Sequence, residues 1–197
     1  QQIQARISSI ILTNLGGTTM EQYLFVIDYQ NDFVDGALGF PGAEQLDEGI
    51  AEKIRSYAPG HVIFTRDTHQ EIYLETREGK LLPVKHCVQG SHGWALYGKT
   101  AQALADCGAK GIDKPAFGID CGDPTVLAVL PERADRIELV GLVSNICVVS
   151  NAVVLQSRYP EARIVVDAAL TASFDPKLHG EVLDVLEGLQ VEVLNRA

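Results

Sequence analysis

Three side chains in this sequence have the types that nucleophilic catalysis needs. Cys147 lies in GLVSNICVV, where an apolar strand pattern gives way to a helical one. That places the thiol in the first turn of a helix, where free N–H groups and a partial positive charge favour a thiolate and can hold an oxyanion. Asp28 opens DYQNDF directly after the apolar run YLFVI, and it could take a thiol proton and later activate water. Lys114, in DKPAFG, could stabilise the ionised pair and keep Asp28 charged. A second group is Asp67-Thr68-His69 with His86 further along the same segment. An aspartate and a histidine two residues apart at a strand end can face one metal ion, His86 can fold back to it, and an acidic residue between them would complete a mixed nitrogen and oxygen site. Such donors suit zinc, iron or manganese. Each residue also has a plain structural reading: a buried apolar cysteine, a turn-forming aspartate, a surface lysine, or histidines bonded within a loop.

The elements that must position them follow from the hydrophobic pattern. Short apolar runs at Tyr23–Ile27, Val62–Thr65, Ile137–Val140, Ile164–Val166 and Val191–Leu194, with a further short strand around Ile112, lack alternation and so read as strands buried on both faces. Between them, Ala43–Tyr57, Thr100–Ala105, Pro124–Leu130, Asn145–Ser157 and Pro176–Leu186 read as helices, with Asp123 and Asp175 as N-caps. Asn145–Ser157 is apolar almost all round, which predicts a buried helix. Strand and helix alternating in this way predict a three-layer α/β/α domain around a central, mostly parallel sheet. Asp67 to Tyr97 is the longest stretch without a regular pattern, and a loop that long inside a compact domain usually carries function. Open parallel sheets bind ligands at the carboxyl ends of their strands, and Asp28, Asp67, Lys114 and Cys147 all follow strands at that edge.

Composition narrows the class. A chain of 197 residues, 46% hydrophobic, can bury one core, and no apolar run approaches the roughly 20 residues of a membrane span. A net charge of −10 argues against nucleic acid or an anionic membrane as partner. Self-association is left open. The four cysteines form no CxxC pair, so the thiols are expected to be reduced and the location cytoplasmic. Residues 1–19 precede the single methionine, Met20, and are read as a non-native or disordered extension to one domain spanning 20–197.

From Gln22 onward, the segments VIDYQNDF, FTRDTH, LPVKHCVQGS, DKPAFG and GLVSNICVV resemble, in this order, the isochorismatase-like cysteine hydrolases, nicotinamidases in particular. The resemblance implies a catalytic triad of Asp28, Lys114 and Cys147 and a cis peptide between Leu142 and Val143. It implies an oxyanion held by the N–H groups of Val143 and Cys147. It further implies a divalent metal, zinc first with iron or manganese as alternatives, on Asp67, His69, His86 and Glu78, with Glu75 as a second choice for the glutamate. Phe33 and Phe117 match ring-packing positions, and Leu82 stands near where relatives carry an aromatic. Asn145 replaces a frequent aspartate, and Lys85 adds a residue before His86. The implied reaction is hydrolysis of a small-molecule amide, nicotinamide first. A carbamoyl or ureido amidase and a non-catalytic module of the same fold are the competing readings.

Overall fold

A computed structural model describes residues 20–196, so the reading of residues 1–19 lies outside the described residues. Six strands form one sheet: β1 (Gln22–Ile27), β2 (Val62–Asp67), β3 (Lys110–Lys114), β4 (Arg136–Leu142), β5 (Arg163–Ala172) and β6 (Glu192–Leu194). Their spatial order is β3-β2-β1-β4-β5-β6, and every neighbouring pair is parallel. The sheet is therefore wholly rather than mostly parallel.

The apolar runs lack alternation because helices cover both faces. On one face Phe25, Ile27, Leu139, Ile164 and Val166 pack with residues of α6 (Val149–Arg158) and α7 (Pro176–Gly188). On the other, Leu24, Val26, Val62, Val140 and Leu142 pack against α2 (Leu46–Ser56) and α4 (Gly98–Asp106). Asp123 caps α5 (Pro124–Leu127) by accepting from Thr125 N, and Asp175 caps α7 by accepting from Lys177 N.

Three expectations change. The helix read over Asn145–Ser157 is a π-helical turn, Ser144–Val148, running into α6, and α6 buries only one side, through Asn151, Ala152 and Leu155, while Val153 is exposed. An all-apolar pattern cannot tell a buried helix from one whose outer apolar residues meet water. Helix α5 stops at Leu127, short of Leu130. The segment from Asp67 to Tyr97 is not featureless: β2 runs through Asp67, and a helical turn at Tyr73–Glu75 leads into α3 (Arg77–Leu81). A further short helix, α1 (Asn31–Val34), follows Asp28. No helix of the described residues is long and apolar enough to cross a membrane.

The chain passes from β1 out to β2 and β3, then returns across β1 to β4. The carboxyl ends of β1 and β4 therefore flank the point where strand order reverses, and a crevice forms there. Gly141 makes this edge possible. It sits opposite Ile27 at φ +107, a conformation closed to most side chains, and an added Cβ would lie 2.1 Å from the Ile27 carbonyl oxygen.

Candidate active site

Asp28 is the first residue beyond β1 and has φ 44. Its Oδ1 accepts a 2.6 Å hydrogen bond from the Thr65 hydroxyl, on the neighbouring strand β2. Its Oδ2 lies 2.6 Å from Nζ of Lys114, the last residue of β3. The same ammonium donates to the Ala116 carbonyl at 3.1 Å and to Cys147 Sγ at 3.6 Å. Asp28, Lys114 and Cys147 are all buried. One ammonium thus touches both the carboxylate and the thiol, and the expected trio is brought together.

Burial pushes the Asp28 carboxyl up, and the Lys114 charge opposes that shift. Burial would lower Lys114, but the charges of Asp28, Cys147 and Asp67 outweigh it and hold the ammonium above its ordinary range. Burial, then the Asp28 charge, pushes the Cys147 thiol well above its ordinary value, with Lys114 opposing. Burial and the Asp28 charge thus oppose the favour that a helix N-terminus gives a thiolate. The cysteine lies inside a π-helical turn beside a carboxylate, so the charge nearest it is negative as well as positive. A thiol held up in this way calls for a base to take its proton, the role expected of Asp28. The peptide bond between Leu142 and Val143 is cis, as expected.

The second group also assembles. One ligand atom from each of Asp67, His69, Glu78 and His86 lies within 4.8 Å of all the others. His69 Nε2 is 3.0 Å from Asp67 Oδ2 and 3.7 Å from Glu78 Oε1, and His86 Nε2 is 3.4 Å and 3.9 Å from the same two atoms. Bonds of about 2.1 Å to one cation set neighbouring ligand atoms about 3.0 to 3.4 Å apart; the two distances to Asp67 fall at this spacing and the two to Glu78 are longer. His86 Nδ1 is 2.8 Å from the Val84 carbonyl, which fixes that nitrogen as the donor and leaves Nε2 for a metal. His69 Nε2 is buried and makes no hydrogen bond of acceptable geometry even with Asp67 Oδ2 at 3.0 Å, a need that a cation between them would satisfy. Two nitrogens and two carboxylates fit a divalent ion of the zinc, iron or manganese type. Among the two glutamates considered, Glu78 joins the cluster and Glu75 does not. Glu78 is set by α3, whose Gly79 packs so tightly on Tyr73 that an added Cβ would lie 2.0 Å from the Tyr73 carbonyl oxygen. Thr76 caps that helix through Gly79 N at 3.0 Å. The extra residue Lys85 points outward to Glu71 at 2.8 Å and leaves His86 in the cluster.

Both groups open into one cavity of about 660 Å³. Its lining includes Asp67, Glu78, His86, Val143 and Cys147, together with Phe33, Leu82 and Phe117 as expected. Sequence reasoning missed Thr65, Ile146, Arg77, Leu81 and Phe174. Phe174 lies just past the carboxyl end of β5 at Ala172, but the apolar run that marks this strand in the sequence ends at Val166, so the strand-end rule does not reach it. Thr65 gave no signal, because a threonine in an apolar run reads as an ordinary strand residue. Cys87, Cys107 and Cys121 are free thiols outside the lining.

Residues 22–197 match the Isochorismatase domain. The chain belongs to the isochorismatase family. It is a hydrolase of that family by this match, and solved relatives share its fold. It is 26% identical to the nicotinamidase/pyrazinamidase of Bacillus subtilis, with a TM-score of 0.77 over 89% of this chain and 100% of that one. The pyrazinamidase/nicotinamidase of Streptococcus mutans gives 26% identity and a TM-score of 0.77 over 88% and 99%. The pyrazinamidase of Pyrococcus horikoshii, solved in complex with zinc, has the same fold at 21% identity, with a TM-score of 0.73 over 89% and 99%. A comparison with curated protein sequences gave no match.

Proposed function

We propose that this isochorismatase-family protein is a cysteine amidohydrolase that converts nicotinamide to nicotinate and ammonia. One observation carries the reading: Cys147 and the ligand residues Asp67, Glu78 and His86 line the same cavity as Phe33 and Phe117. A substrate suited to it presents an amide carbon to the thiol and a basic ring nitrogen to the ligand cluster, and nicotinamide carries both on one flat ring. The likeness to nicotinamidases of Bacillus subtilis and Streptococcus mutans supports this.

Asp28 takes the proton of the Cys147 thiol, and the sulfur attacks the carboxamide carbon. Lys114 keeps Asp28 ionised before the transfer and faces the sulfur as it gains charge. The backbone N–H groups of Val143 and Cys147 receive the developing oxyanion. Asp28 returns the proton to the leaving nitrogen, the carbon–nitrogen bond breaks and ammonia departs, leaving a thioester on Cys147. Asp28 then deprotonates a water that attacks the thioester carbonyl, nicotinate leaves, and the thiol recovers its proton. A divalent ion held by Asp67, His69, Glu78 and His86, zinc first as in the Pyrococcus horikoshii protein with iron or manganese as alternatives, would supply a Lewis-acid anchor for the ring nitrogen. A carbamoyl or ureido amidase has no need of that cluster. The test is ammonia release from nicotinamide by zinc-loaded protein, with Cys147→Ala as control. Release that vanishes in the control is expected, and release that survives would sink the scheme.

A further inference from the structure

The cavity is larger than a bare ring amide requires. Cavities of roughly 300–1,000 Å³ hold drug-sized ligands, and this one is about 660 Å³. Its lining also divides by exposure. Phe33, Asp67, His86, Val143 and Cys147 are buried and form the floor. Leu81, Leu82, Phe117 and Phe174 are 72%, 38%, 44% and 56% exposed, and they form an apolar mouth. Arg77 stands with them, exposed on the helix that carries Glu78.

Charge then distinguishes Arg77. At the floor Asp28 is paired with Lys114 at 2.6 Å. The carboxylates of Asp67 and Glu78 are balanced once the four-residue cluster holds a divalent ion. Arg77 is the remaining charge of the lining, and it has no ion-pair partner among the described residues. A guanidinium beside an apolar surface is a ready partner for a carboxylate.

The ring of the substrate sets a direction. In nicotinamide the ring nitrogen and the carboxamide-bearing carbon flank a single ring carbon. When both face the floor, the carbon directly across the ring, C5, faces the mouth. We infer that Arg77 and the apolar mouth take an anionic group carried on a short apolar arm at that carbon, so that among pyridine carboxamides substituted there the site prefers one extended by a carboxylate. This rests on the amidohydrolase reading above and adds to it the substrate class. The arm lies along Leu82, Phe117 and Phe174, and its carboxylate meets Arg77.

The experiment compares 5-(2-carboxyethyl)nicotinamide with 5-propylnicotinamide, a neutral arm of similar size. Affinity is measured by calorimetry on the zinc-loaded Cys147→Ala protein, so that the readout is binding, and kcat/KM is measured on the unaltered protein. A charge-assisted contact is worth about tenfold, so the carboxylate is expected to be preferred by about that factor in both measurements. Arg77→Gln should bring the ratio close to unity, Arg77→Lys should retain part of it, and Arg77→Glu should invert it. A merely structural arginine would not give an inversion. A ratio near unity in the unaltered protein, or one that Arg77→Glu leaves unchanged, overturns the inference. Cysteine-dependent turnover of nicotinamide reports on the amidohydrolase reading separately, so either can fail while the other stands.

Discussion

Replacing Lys114 by Met exposes the electrostatics on which the site depends. The substitution keeps the length and much of the volume of a buried side chain but removes the charge 2.6 Å from Asp28 Oδ2. Breaking one side of a buried ion pair costs about 3–5 kcal/mol, because the remaining charge is left without compensation. Asp28 can escape by taking up a proton. Burial already pushes its carboxyl up, and Lys114 is the largest opposing influence, so the variant raises the folded-state value further. The unfolded-state value stays at about 3.9. A group whose folded pKa is raised contributes stability that is present below the unfolded pKa and lost as pH rises through the folded pKa. Across that window stability falls by about 1.4 kcal/mol per pH unit. The unaltered Asp28 leaves that window first, because Lys114 holds it lower, so urea unfolding of the two proteins between about pH 5 and pH 8 should show a gap that widens with pH. Activity should fall on the order of 10²- to 10⁴-fold, since a protonated Asp28 cannot take the thiol proton. Adding Asp28→Asn should restore much of the stability and none of the activity. A destabilisation that is the same at both ends of the pH range would refute the reasoning.

Thr65→Val removes the 2.6 Å bond that stabilises ionised Asp28, and a hydrogen bond to a charged group is worth about 1.5–3 kcal/mol. Because that bond lowers the Asp28 value, its loss should move the acid limb of the kcat/KM profile to higher pH and cut kcat/KM at neutral pH by about tenfold or more; an unmoved limb would exclude the role. Alkylation of Cys147 by iodoacetamide should be slow near neutrality and climb steadily at alkaline pH, since burial and the Asp28 charge hold the thiol up; a plateau reached near neutrality would show a resting thiolate. Glu78→Gln should lower the zinc retained per chain after dialysis, read by elemental analysis, while Glu75→Gln should not. Equal retention in both would remove Glu78 from the cluster.

The chemistry-bearing residues were legible because parallel sheets place function at strand ends, and this sequence marks its strands with unbroken apolar runs. Asp28 after YLFVI and Lys114 after Ile112 could be assigned to one edge before any contact was known. The helix caps at Asp123 and Asp175 were legible for a similar reason: a carboxylate before Pro satisfies the first free N–H groups wherever the helix later packs. The state of the cysteine was not legible. A helix N-terminus argues for a thiolate, but the thiol is buried against Asp28, and that proximity depends on β1 and β4 being neighbours. Thr65, Arg77 and Phe174 were missed because a strand threonine, a surface arginine and a loop phenylalanine have no local pattern of their own.

By itself the sequence determined the alternation of strands and helices, the edge of the sheet on which reactive side chains gather, and, through its motifs, the family. These follow from periodicity, capping and residue order, which act over a few residues at a time. Only the tertiary structure decided that the sheet runs β3-β2-β1-β4-β5-β6, that Glu78 rather than Glu75 faces the two histidines, and that one ammonium joins Asp28 to Cys147. Those outcomes depend on distances and burial among residues far apart in the chain, and the ionisation of a buried group is set by neighbours that local sequence does not contain.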